Sequence, residues 1–523
     1  MNIFHKEIVI LTLISFFLNF LGIWWGLPNY YSWSVDYTAP TPILGRMFHG
    51  FVGEYKYPPY HFFINAISYL PFLLYLYISG QLNTPSSNFP FGFVHPLESL
   101  SILIMITRLI TLCMSIFIIF SVYLISNEIF NEKDTAFFSS IIVSFSPIFV
   151  ILSKLDKLDV PMLFYLTVSL YFAIRLLKKP SKKYYILFGL FSALAVSTKE
   201  QALAFYILPV IILIYYHIHI INKKRKNSFT INKDIIYFFI SFIFTWLFAS
   251  NIIFDYKGFI YRVNFWLGGP GIINYIQYPN TIIGHAFLLI KTLKYLLFGM
   301  TIPFVFISFC GIFYLFKKTP IYKRFYIFLI FTMISFYVFS IAINRFVYPR
   351  FILPFILPLS MFGGKLFKEI YKKHSLGKII ITCLIIFSFV QVLGADFLII
   401  NDSRYYAENW LVSHIDKNAT IEIYEPNLLR FQLLNYTKIN KINYTDIDIY
   451  NFKTRNPDCV IISSQFYDKL KGKQHIFLLS LLNGTLGYEI KIFKTKGFLF
   501  PSQPISYINP TIIIGKRKNY VIS

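Results

Sequence analysis

The residues with chemistry to offer sit where apolar runs end. Asp36 stands just beyond the first apolar run, among Tyr30, Tyr31, Trp33 and Tyr37. A carboxylate at that depth is partly desolvated, which raises its pKa and suits it to take a proton from a hydroxyl. Lys154, Asp156, Lys157 and Asp159 crowd a short turn between two later runs. Asp159, two residues before Pro161, also reads as an ordinary helix cap. As chemistry, Asp159 or Asp156 would face the same cavity as Asp36. Arg108 is embedded in an apolar run, where a charge costs at least about 2.5 kcal/mol, so it is functional or paired, with Asp36, Asp159 or a lipid phosphate as its expected partner. Lys199, Arg345 and Arg350 stand at breaks between later runs. Cations at one depth can hold a lipid-linked phosphate, Arg by a planar fork and Lys as a point charge. Snorkelling to headgroups is the plain alternative for each taken singly. Tyr57 and His61 flank the aromatic Pro58-Pro59 turn and complete the lip of such a site.

The elements that must position these groups are membrane helices. Of the 523 residues 56% are hydrophobic, 20% aromatic and only 14% charged, against about 25% charged in a soluble domain. No single soluble core could hide so much apolar surface. Runs of about 20 residues can cross a bilayer. They fall at 8–27, 101–125, 135–153, 160–177, 184–199, 201–221, 235–255, 297–316, 325–344, 351–364 and 378–400, giving about eleven spans. The net charge of +25 is gathered in short loops between these runs. That pattern belongs to cytoplasmic loops rather than to a nucleic-acid surface.

Orientation follows from the basic clusters. Lys178 to Lys183, Lys223 to Lys226, Lys317 to Arg324 and Lys365 to Lys378 should all be cytoplasmic. Parity then requires 62–78 and 282–296 to lie on the outer face rather than cross it. Asp36, Asp159, Lys199, Arg345 and Arg350 are all external on this topology. Residues 1–400 form the membrane domain. Residues 401–523 change character, with alternating strands at Thr420–Tyr424 and Cys459–Ile462, and form a small extracytoplasmic α/β domain. The four cysteines have no metal-ligand spacing. His49, His61, His95 and His285 have no i, i+4 partner of metal-ligand type, so a divalent metal is compatible with the sequence but no motif demands one.

In this order the motifs resemble membrane glycosyltransferases that use polyprenyl-phosphate sugars. The nearest group is the dolichyl-phosphate-mannose protein mannosyltransferase family, which includes the lipid A aminoarabinose transferases. Asp36 resembles its first-loop acid and Lys56-Tyr57-Pro58-Pro59-Tyr60-His61 its Pro-Pro motif. Thr107-Arg108-Leu109, Asp159-Val160-Pro161 and Thr198-Lys199 resemble its later motifs, as does Tyr348-Pro349-Arg350-Phe351-Ile352-Leu353-Pro354. The neighbours of Asp36 are Val35 and Tyr37, where a second acid is common, and Lys56 stands where some members have an acid. These departures weigh against the aminoarabinose assignment.

The resemblance implies an inverting transfer from a polyprenyl-phosphate-linked sugar to an acceptor hydroxyl of a protein, lipid or glycan, at the outer face of the plasma membrane. Asp36 would be the base, with Asp159 positioning the acceptor or the sugar. Lys199 and Arg350, with Arg345 or Arg108, would hold the departing phosphate. The rival readings are a transporter or flippase of lipid-linked glycans, expected to show repeat symmetry or broken midplane helices, and a non-catalytic assembly protein. If Asp36 is the base, Asp36→Asn should leave the protein in the membrane and lower transfer at least about 10²-fold. Near wild-type turnover of purified Asp36→Asn would remove Asp36 from the mechanism.

Overall fold

The computed structural model describes residues 6–34, 40–224, 234–266, 269–319, 322–373, 375–425, 428–467, 470–497, 505 and 507–518. Asp36 lies outside the described residues. The chain divides into two units. The first comprises Met1–Ile23, Tyr37–Pro96 and Leu103–Leu393; the second comprises Trp24–Asp36, Leu97–Ile102 and Gly394–Ser523.

The first unit is helical. It begins with α1 (Lys6–Phe20), α2 (Pro40–Phe48), α3 (Tyr60–Ile78) and α4 (Pro96–Phe130, whose first turns belong to the second unit). Then come α5 (Lys133–Ser144), α6 (Pro147–Ser153), α7 (Asp159–Lys178), α8 (Lys182–Thr198), α9 (Leu203–Lys224), α10 (Ile235–Ala249), α11 (Tyr256–Trp266) and α12 (Pro270–Ile273). It closes with α13 (Ile282–Met300), α14 (Ile302–Lys318), α15 (Lys323–Phe336), α16 (Leu353–Lys373) and α17 (Ser375–Ile400).

Among the described residues 8 helices are long and apolar enough to cross a membrane, or up to 9 with one bent pair. The expected number was about eleven. The two sets differ in membership as well as number: α3 and α13, expected to lie on the outer face, are among the eight, whereas α8 and α14 have 17 residues and α1 and α10 have 15 and fall below the length. At 1.5 Å per residue such helices fall short of a 30 Å hydrocarbon core. The run at 135–153 is broken into α5 and α6, bent by 67°. Pro147 opens the second piece, because proline cannot donate the bond that would continue the first.

The helices share two opposite ends. Basic loops gather at one. There Arg175 and Lys178 pair with Glu128 at 2.8 and 3.0 Å, and Lys365 pairs with Glu132 at 2.7 Å. Arg324 reaches Tyr216 Oη at 2.8 Å. At the other end the turn between α6 and α7 meets the C-terminal end of α1 and of α8. Although α3 is long enough to span, it stays at this second end. Tyr60 packs on Tyr165, less than two turns into α7. Beyond Ile78 the chain folds back, with Leu82 bridging Phe93 and Val94 N donating to Gln81 O at 3.0 Å, which brings it to the start of α4.

The second unit holds a five-stranded sheet in the order β2-β1-β3-β5-β4. The strands are β1 (Thr420–Ile423), β2 (Lys438–Lys441), β3 (Cys459–Ser463), β4 (Tyr488–Phe493) and β5 (Ile512–Arg517). β1 and β3 are the two expected strands. All five residues of β3 are buried, since it is central and covered on both faces. The boundary expected at 401 falls at Gly394, and the run after α1 belongs to this unit. Trp25 Nε1 donates to Asp402 at 3.0 Å, Tyr405 Oη accepts from Gly26 N at 2.8 Å, and Arg430 donates to Leu27 O at 2.8 Å. Arg404 stacks on Trp33 at 4.0 Å. The segment leading to Asp36 is thus fastened to residues of the C-terminal domain.

On this topology Asn83→Cys, in the fold-back after α3, should react with an impermeant thiol reagent applied outside the cell, whereas Lys179→Cys should react only after permeabilisation. Labelling of both from the same side would overturn the outer placement of α3.

Candidate functional site

The turn Lys154–Asp159 is the centre of the second end. Lys154, Asp156 and Lys157 are fully buried and Asp159 is 3% exposed. Four charges can be buried in six residues only if other elements supply partners. Lys154 Nζ donates to the carbonyls of Leu18 and Leu21, each at 2.7 Å, satisfying acceptors that the end of α1 leaves open. Asp156 accepts from Arg108 Nε at 3.3 Å, and Arg108 Nη1 donates to Ile23 O at 2.7 Å. Arg108 therefore takes Asp156 as its carboxylate partner. Both side chains have no exposed surface and together they hold the end of α1.

Asp159 has a different partner set. It is the first residue of α7, and the capping position, Leu158, has no side-chain cap bond. The expected cap is replaced by an ion pair, with Lys199 Nζ donating to Asp159 Oδ1 at 2.7 Å. Arg350 Nε lies 4.0 Å from the same oxygen. Helix geometry explains how residues forty apart meet. α7 and α8 have 20 and 17 residues and are joined by a three-residue link, so the chain returns to the level at which it started. Both charges also suit their helices, an anion at the N-terminus of α7 and a cation just past the C-terminus of α8. Gly189 permits close packing of α8 on α10, since a Cβ there would meet Phe238 O at 2.5 Å. Arg350 arrives on the short helical turn Pro349–Ile352, and the Phe351 ring lies 5.3 Å from Lys199 Nζ.

The other expected residues are placed separately. Arg345 is half-buried in a left-handed conformation, φ 55°, and its backbone carbonyl accepts from Gln277 N at 3.1 Å. Tyr57 lies against Trp266, ring centroids 6.1 Å apart. His61 is fully buried, and neither ring nitrogen has a hydrogen-bond partner among the described residues. Among the described residues no group of three or more His, Cys, Asp and Glu could hold a metal ion.

Sequence reasoning missed a second shell of ties. Arg262 on α11 is 2% exposed and donates to Glu200 at 3.3 Å and Ser250 O at 3.0 Å. Asp255 accepts from Gly53 N at 3.0 Å and Gly258 N at 2.9 Å. A Cβ on Gly258 would meet that carboxylate at 2.1 Å, so only glycine fits. The signal was available in Asp255 and Arg262, two charges in a stretch otherwise rich in aromatics, but no spacing pointed to their partners.

Residues 103–254 match the sequence model of the dolichyl-phosphate-mannose-protein mannosyltransferases. Over this stretch the chain is similar to that family. The mannosyltransferase-like stretch contains Arg108, the whole Lys154–Asp159 turn and Lys199, three of the elements that meet at the site. No curated protein sequence matches the chain. In fold the chain resembles the oligosaccharyltransferase of Archaeoglobus fulgidus, solved with zinc and sulfate. That match has 13% identity and a TM-score of 0.50, over 94% of this chain and 72% of that one. ArnT from Cupriavidus metallidurans, solved with undecaprenyl phosphate, aligns over 97% of both chains with 11% identity and a TM-score of 0.49.

Removing one member of a buried ion pair leaves its partner charged and dry, at a cost of about 3–5 kcal/mol. Arg108→Ala should therefore lower the unfolding midpoint of the purified protein sharply. Arg108→Met combined with Asp156→Leu should recover most of the loss. A double variant no more stable than the single one would show that the Ile23 carbonyl, rather than the ion pair, is what Arg108 serves.

Proposed function

We propose that the chain is an integral-membrane glycosyltransferase that moves a sugar from a polyprenyl-phosphate carrier to an acceptor hydroxyl. The observation that carries this reading is the trio Asp159–Lys199–Arg350. Two cations share one carboxylate, within hydrogen-bond and ion-pair distance, at the end of the helices opposite the basic loops. A single carboxylate leaves that trio with one excess positive charge, in a poorly solvated place where an anion is attracted strongly.

In the proposed reaction the acceptor oxygen attacks the anomeric carbon. The acceptor proton passes to a carboxylate, for which we assign Asp36. The bond from the anomeric carbon to the phosphate oxygen breaks with its electron pair on the oxygen. The released monoester carries about two negative charges, since its second pKa is near 6. Lys199 and Arg350 stabilise that growing charge where it develops, the usual source of the largest electrostatic gain. Asp159 acts as the counter-ion that holds both cations in place before the donor arrives. Arg108 and Asp156, assigned to substrate on sequence grounds, are better read as the pair that fixes the end of α1. A lipid donor reaches the site through the bilayer, which fits a site built at the ends of membrane helices. The inverting course, the sugar and the acceptor belong to this proposal, as does the placing of the site and the C-terminal domain outside the cell.

Two experiments test the proposal. Cells lacking the gene should accumulate a lipid-linked sugar and lose a glycan that reappears when the gene is restored; unchanged glycans and lipid-linked sugars would reject it. Arg350→Lys keeps the charge and loses the fork, so it should impair transfer by about tenfold or more in kcat/KM for the donor. Unchanged donor kinetics would remove Arg350 from the phosphate site.

A further inference from the structure

Arg46 is a buried cation that the reaction above does not use. It sits on α2, in the loop before the Pro58-Pro59 turn, and is 8% exposed. Its guanidinium carbon lies 3.7 Å from the centre of the Tyr55 ring and 4.1 Å from that of Phe62. Two rings thus flank the group. Stacking holds charge against the ring faces but uses none of the N–H bonds, which point outward in the guanidinium plane. Nε and Nη1 are buried and have no hydrogen-bond partner among the described residues. Other buried arginines donate to carboxylates or carbonyls: Arg108 Nε to Asp156 and Nη1 to Ile23 O, and Arg262 Nε to Glu200 and Nη2 to Ser250 O.

The surroundings raise the demand for an anion. Burial pushes the Arg46 guanidinium down to about 10; Tyr55 opposes this, and Arg262 nearby adds a smaller lowering effect. An oxyanion in the guanidinium plane would oppose both lowering effects. The place is rigid, because Asp255 binds Gly53, Asn251 donates to Phe51 O at 3.2 Å and Trp266 donates to Lys56 O at 2.8 Å. On α3, next to Phe62, His61 and Asn65 are also buried with no partner for their side-chain nitrogen and oxygen atoms. Orphaned polar groups are costly when dry, and the expected remedy is a ligand that supplies the missing acceptors and donors.

We propose that Arg46 binds an oxyanion, a phosphate or a carboxylate, in a site separate from the Asp159 trio. Two oxygens of such a group match the two open N–H donors. If sugar transfer is the reaction, the oxyanion belongs to the acceptor, since Lys199 and Arg350 serve the donor phosphate; that assignment rests on the transferase reading, whereas the binding does not.

The test uses the full chain in phosphatidylcholine nanodiscs, with thermal unfolding followed during titration by inorganic phosphate or by acetate at constant ionic strength. One of the two should raise the wild-type midpoint by ~2 °C at about ten times its half-saturating concentration. Lys199→Ala should keep the shift. In the Lys199→Ala background, which removes the phosphate site of the trio, Arg46→Gln should lose it, and Arg46→Lys should recover less than half. If Arg46→Gln does not fold, Arg46→Lys decides. A stabilisation produced by replacing phosphatidylcholine with phosphatidylglycerol, and lost on Arg46 substitution, supports the site with a lipid headgroup as its source. Absence of any shift in all arms, persistence of the shift in Arg46→Gln or an undiminished shift in Arg46→Lys in the Lys199→Ala background, or its loss in Lys199→Ala alone overturns the proposal. Donor kinetics of Arg350→Lys are read separately, so either proposal can fail alone.

Discussion

The burial of four charges in the turn Lys154–Asp159 is the constraint on which the rest of the site depends. A buried charge must be paired or bonded, and this turn finds its partners on four other elements. Lys154 closes the end of α1, Asp156 takes Arg108 from α4, and Asp159 takes Lys199 from α8 together with Arg350. The same interactions that neutralise the turn therefore fix the ends of the helices around it. Loss of any one partner would leave an uncompensated ion rather than a small defect. Stability and site geometry are thus not separable here.

Within that frame the six-residue turn has two halves with different duties. Lys154 and Asp156 face fully buried structural partners. Asp159 shares two cations with flexible or forked heads and remains slightly exposed. A carboxylate held between two cations can exchange their attention with an incoming phosphate without being left bare. That difference supports the proposal that the first half serves architecture and the second the substrate. Behind the site, Asp255 and Arg262 bind the first outer loop to α11 and to Glu200, the neighbour of Lys199.

Much of this could be read from the residues. Apolar runs located nearly every long helix, because hydropathy and length report on the bilayer directly. Basic clusters placed the loops, and the two ends observed agree with them. Asp159, Lys199 and Arg350 were singled out individually as charges at the breaks between runs. What could not be read was the pairing. Nothing in the spacing of Arg108 and Asp156 said that they would choose each other, because that choice depends on how α4 and the turn pack. Helix length failed for α1 and α10, whose apolar runs included residues that became turns. The membership of the second unit was not legible for a similar reason. Trp25, Gly26 and Leu27 continue an apolar run in sequence, but their hydrogen bonds go to Asp402, Tyr405 and Arg430, and no local pattern encodes contacts so distant.

We propose that the Asp159 trio holds the phosphate of a lipid carrier. Equilibrium binding of a radiolabelled polyprenyl phosphate to the purified protein in nanodiscs measures this without knowing the sugar or the acceptor. Charge-assisted hydrogen bonds contribute about 1.5–3 kcal/mol each, so Lys199→Met should weaken binding by roughly 10- to 100-fold, while Lys179→Met, at the opposite end, should leave it unchanged. Equal affinity of wild type and Lys199→Met would contradict the claim.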